Sequence, residues 1–75
     1  MPQTIDALYA WVATEPDGGE GVCSMTLGDT HYPMVGADID RVKSLREHAE
    51  FVRRVTGYPV RLVRFSRRED LEELP

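Results

Sequence analysis

Between Asp38 and Gly57 the sequence carries its one long stretch of helical periodicity, and in a chain of 75 residues that stretch constrains everything else. At 100° per residue, Val42, Leu45, Ala49, Phe51, Val52 and Val55 fall within one half of the wheel, with Lys43, Arg46, Glu47, Glu50, Arg53 and Arg54 on the other. Asp38 or Asp40 is positioned to cap the first turn, Arg53 and Arg54 suit the negative end, and Gly57 stands where a left-handed residue ends a helix. A helix from Asp38 or Asp40 to about Thr56 is expected, with Glu50 and Arg54 paired at i,i+4. It is amphipathic, so its apolar stripe needs a second layer to pack on.

Strands supply that layer. Ile5–Thr14 is rich in apolar and aromatic residues and runs into Glu15-Pro16-Asp17-Gly18-Gly19-Glu20-Gly21, where Pro fixes φ and Gly supplies positive φ for a turn. Val22–Leu27 alternates with a period of two, the mark of a half-buried strand. Gly28-Asp29 permits a second tight turn into Thr30–Val35, where Pro33 lacks a ladder donor and indicates an edge. After Gly57-Tyr58-Pro59, Val60–Phe65 reads as a further strand. Ser66 and Glu69 then have the spacing of a capping box opening a short acidic helix with Leu71 and Leu74 on one side. The expected class is α+β in two layers, ordered β-β-β-α-β-α over residues 1–75 as one small domain. A sheet of three to four strands, mixed or antiparallel, carries one main helix across one face. The last strand lies beside the first through a crossover, which is right-handed where strands are parallel.

Register decides which side chains are left over. With Glu15–Glu20 as the loop, Thr14 faces Gly21, so Val12 meets Cys23, Ala10 meets Met25 and Leu8 meets Leu27. Those six residues form the expected core face. Tyr9 and Trp11, beside Val22, Ser24 and Thr26, then lie on a face the main helix does not cover and need cover from elsewhere. The C-terminal segment with Leu71 and Leu74 is one cover; a second copy or another protein is the other. The second is preferred because a helix of eight residues covers little area. Tyr9, Trp11, Ser24 and Thr26 are therefore the candidate partner surface, and a homodimer is expected.

Charge is segregated along the chain. Residues 1–40 carry −7 with no base, residues 41–68 carry +7, and the last seven carry −4, for a net −4. Arg53, Arg54, Arg61, Arg64, Arg67 and Arg68 form a candidate anion or nucleic-acid surface, since guanidinium forks suit phosphates. The overall negative charge opposes such binding at long range, so pairing with the terminal acids is the favoured reading of this set.

Little else points to chemistry. Cys23, His31 and His48 lack any recognised zinc spacing, so no metal or cofactor is expected. No nucleophile, base and orienting group come together in the sequence, so no catalytic residue is assigned and a non-enzyme is expected. Gly18-Gly19-Glu20-Gly21 lacks the pattern of a phosphate loop. A lone cysteine suits a reducing compartment, and the longest apolar run, Ala7–Ala13, is far short of the roughly 20 residues of a membrane span. The start of the chain also lacks the layout of a signal peptide. A cytoplasmic protein without membrane contact is expected.

Pro33-Met34-Val35 and the block running from Gly57-Tyr58-Pro59-Val60-Arg61-Leu62-Val63-Arg64-Phe65 through Ser66-Arg67-Arg68-Glu69-Asp70-Leu71-Glu72-Glu73-Leu74 resemble small uncharacterised proteins encoded in bacterial and phage genomes. The resemblance implies a compact accessory protein and carries over no activity, cofactor or site residue. The function expected is a small non-enzymatic protein–protein interaction or regulatory module, with a nucleic-acid-associated accessory protein as the alternative.

Overall fold

In the computed structural model, which describes residues 4–75, Leu8–Thr14 (β1) is the middle strand of a sheet with partners along both edges. The chain is α+β. Glu20–Val22 (β2) pairs antiparallel with the end of β1, Thr14 opposite Glu20 and Val12 opposite Val22. Val35–Gly36 (β5) pairs with its start along the same edge, Ala10 opposite Val35 and Tyr9 opposite Gly36. Between them, Ser24–Leu27 (β3) and Thr30–Pro33 (β4) form a separate two-stranded hairpin closed at Gly28-Asp29, with Gly28 at φ 63°. Cys23 and Met34 mark its base. The N–H of Cys23 donates to the carbonyl of Trp11 at 2.8 Å, the N–H of Trp11 to that of Met34 at 3.1 Å, and the N–H of Met34 to that of Cys23 at 2.8 Å. One residue of β1 thus opposes two residues of its neighbour, as at a β-bulge.

The opposite edge belongs to Val60–Phe65 (β6), antiparallel to β1 from Leu8 opposite Phe65 to Ala13 opposite Val60. The last strand thus lies beside the first as expected, and of the mixed and antiparallel arrangements left open this pairing is antiparallel. A crossover does exist, but the strands it joins in parallel are β5 and β6, with β1 lying between them. The first hairpin also slips by one residue from expectation, because its loop spans Glu15–Gly19 rather than Glu15–Glu20. Its turn is closed by the N–H of Gly18 on the carbonyl of Glu15 at 2.9 Å, and the N–H of Glu15 donates to Gly19 at 2.8 Å.

The helical stretch is two helices, Ile39–Lys43 (α1) and Arg46–Thr56 (α2), rather than one. Asp38 caps α1, its Oδ1 accepting from the N–H of Asp40 at 2.9 Å, and Gly57 ends α2 at φ 73°. At the break, the Ser44 hydroxyl bonds back to the Arg41 carbonyl, and Leu45 donates to Val42 three residues before it. Arg46 takes Glu50 at 3.0 Å, in place of the expected Glu50–Arg54 pair. Phe51 and Val55 of the expected apolar stripe are exposed, while Val42 and Ala49 are buried.

No helix forms after Phe65, which corrects the expected C-terminal helix. Leu71 and Leu74 remain 86% and 80% exposed, and a segment of this length without an apolar surface to bury does not sustain a helix in water. The buried apolar set is small: Ala10, Val12, Cys23, Met34, Val42 and Ala49. The radius of gyration is 14.2 Å, against about 11 Å for a compact chain of this length.

Candidate interaction surface

Alternation along β1 sends Tyr9, Trp11 and Ala13 to one face and Leu8, Ala10, Val12 and Thr14 to the other. The helices lie over the first. The indole N–H of Trp11 donates to the carbonyl of Val42 at 2.8 Å, and Trp11 shares a cleft with Ala49 and Arg53 of α2 and Val60 of β6. On the same side, a Cβ added to Gly36, opposite Tyr9, would stand 3.3 Å from a methyl of Val42. Glycine here lets α1 approach the sheet closely. The face expected to await a partner is thus the one the helices cover, and Trp11 is a half-buried member of the core layer.

The remaining members of that expected surface sit elsewhere. Ser24 and Thr26 belong to the β3–β4 hairpin and are exposed, in a different sheet from Tyr9 and Trp11. In that hairpin Thr26 pairs with His31, the Thr26 hydroxyl lying 2.9 Å from His31 Nδ1.

The opposite sheet face has a different character. Cross-strand pairing places Val22 and Val35 along one side of Val12 and Ala10, and Val63 and Arg61 along the other, with Leu8 beside Phe65 at the end. Ala10 and Val12 are buried in its centre. Around them Leu8, Val22, Val35 and Phe65 keep 42, 48, 39 and 51% of their surface in water. Four large apolar side chains partly exposed around the rim of one sheet face are apolar surface of the kind that marks interaction sites.

The arginines do not converge. Arg61 pairs with Val12 and Arg64 with Tyr9, which puts their side chains on opposite faces. Arg53 and Arg54 stand at the end of α2. Arg68 is taken by Asp70 at 2.8 Å and donates to the carbonyl of Ile5 at 3.4 Å, so part of the pairing with terminal acids expected from sequence is present. Arg67 lies with Arg68 beyond the last strand.

Cys23 is buried and unpaired with another cysteine, and desolvation pushes its thiol pKa up. A thiol in that state is a small apolar filler, not an activated nucleophile. Among the described residues no three of His, Cys, Asp and Glu come together in a way that could hold a metal ion. Nor is any helix among them long and apolar enough to cross a membrane. The chain matches no protein-family model, no curated protein and no solved structure.

Proposed function

We propose that this chain is a small non-enzymatic interaction module of a reducing, cytoplasmic environment that binds another protein chain through the sheet face of Leu8, Val22, Val35 and Phe65. The observation that carries the reading is the rim of the sheet face opposite the helices, where these four side chains stay in water around the buried Ala10 and Val12. Burying them in an interface removes apolar area at roughly 25 cal/mol per Å².

Comparing the wild-type chain with a Val35→Glu/Phe65→Glu variant tests it. Immobilised wild-type protein should retain a defined protein from extracts of its source cells, or should self-associate at tens of micromolar. The variant should lose that binding at least tenfold while unfolding at a similar denaturant midpoint. Wild-type protein that neither retains a protein nor self-associates overturns the proposal. The alternative, a nucleic-acid accessory role for the arginine set, is weakened by Arg61 and Arg64 facing apart. It requires binding to duplex or single strands at low salt that falls steeply as salt rises.

A further inference from the structure

We infer that the partner includes a second copy of this chain, joined edge to edge through β6 about a two-fold axis at Leu62. The inference rests on the reading of the chain as an interaction module and adds the occupant, the surface and the register.

The argument starts from hydrogen bonds that β6 leaves unmade. Thr14 donates its N–H to the carbonyl of Pro59 at 3.0 Å, which fixes the phase of the β1–β6 ladder. In an antiparallel ladder alternate residues bond inward, so Arg61, Val63 and Phe65 exchange their main-chain bonds with β1. Val60, Leu62 and Arg64 then point their N–H and C=O groups outward. Among the described residues no strand pairs with that side of β6. The edge is six residues long and has no proline or lysine to block it. On the other side of the sheet, the β3–β4 hairpin interrupts the edge after Cys23, so an incoming strand finds no comparable run there.

The outward set is self-complementary. Residues 60, 62 and 64 are symmetric about Leu62, so a two-fold axis perpendicular to the sheet sets Leu62 against the partner's Leu62 and Val60 against the partner's Arg64. All three outward donors and all three outward acceptors of each copy are satisfied in this register. Shifting the axis to Val63 sets Leu62 against the partner's Arg64 and leaves the groups of Val60 without a strand partner. Arg64 lies opposite an apolar residue in either case and never opposite itself, so the register brings no two like charges directly together. A two-fold pairing also keeps the same sheet faces on the same side, which joins the two apolar faces into one surface.

Sedimentation equilibrium combined with residue-resolved amide hydrogen exchange, on the intact chain at low and high concentration, tests the proposal. The expected result is a dimer in which the amides of Val60, Leu62 and Arg64 gain protection of tenfold or more as concentration rises, with no such gain at the already bonded Arg61 and Val63. Arg64→Pro removes an outward donor and no bond to β1, so it should weaken association at least tenfold. The exchange measurement on wild-type protein needs no variant and decides the matter if that substitution fails to fold. A dimer whose three outward amides stay unprotected overturns the edge pairing and leaves the interaction reading standing. A chain that is monomeric at several hundred micromolar overturns the second copy as partner, whereas the interaction reading falls only if the Val35→Glu/Phe65→Glu comparison also shows no binding.

Discussion

The indole N–H of Trp11 and the N–H of Leu45 both donate to the carbonyl of Val42, at 2.8 and 3.1 Å. A carbonyl has two lone pairs, so none remains for the N–H of Arg46, which an unbroken helix would direct there. The break between α1 and α2 and the burial of Trp11 thus share one acceptor. Trp11→Phe should cost about 1–3 kcal/mol, because it leaves a partly buried acceptor one partner short. Denaturant unfolding followed by circular dichroism measures it. Trp11 emission should also stay blue-shifted and unchanged on dilution, since its cover is the chain's own helix.

Thr14 at the end of β1 buries a hydroxyl that has no hydrogen-bond partner. Replacing it by a side chain of the same shape removes an unmade bond at no cost in packing. Thr14→Val should therefore stabilise the chain by about 1 kcal/mol. A denaturant midpoint equal to or below that of the wild type contradicts this.

Beyond Phe65 the chain adds little to stability. Ser66→Ala, Leu71→Ala and Leu74→Ala should each move the unfolding free energy by less than about 0.5 kcal/mol, as exposed positions usually do. Had Ser66 capped a helix, its loss would cost about 1 kcal/mol. The three melts separate these outcomes.

Desolvation holds the Cys23 thiol neutral to higher pH in the folded chain than in the unfolded one. Below the ordinary thiol pKa of about 8.5 both states are protonated, and the stability associated with the neutral thiol is fully present. As pH rises further, the unfolded chain ionises first and binds fewer protons, so stability falls toward the folded pKa. Cys23→Ala should flatten the alkaline slope in denaturant midpoints measured from neutral pH to pH 10. An unchanged slope would show that other groups set it.

Local signals in the sequence match the structure more closely than long-range ones. Asp38, Gly57 and Gly28-Asp29 act through their own backbone or near neighbours, and the cap, the helix end and the tight turn lie where their chemistry requires. Which face of β1 the helices cover was not legible from alternation, because Leu8-Ala10-Val12 and Tyr9-Trp11-Ala13 are both apolar sets. Two signals favoured the observed answer. Trp11 has an N–H that needs an acceptor when buried, and Ala49 is small enough to leave room for a large ring. The one-residue slip in the first hairpin turned on whether Glu20 belonged to the loop or the strand, a choice composition does not make. Ser66 and Glu69 had capping-box spacing, but a cap cannot hold a helix that has nothing to pack on.

The hydrogen bond from Met34 to Cys23 has an evolutionary reading. It brings the two ends of segment 24–33 together, and none of those ten residues is wholly buried. Joining Cys23 directly to Met34 would leave an ordinary bulge opposite Trp11 and a continuous outer strand. The hairpin is therefore a graft on an already closed framework, free to lengthen, shorten or change sequence without retuning the layer beneath the helices. Variation among descendants of this chain should concentrate there, as it does in segments whose removal the interior does not feel.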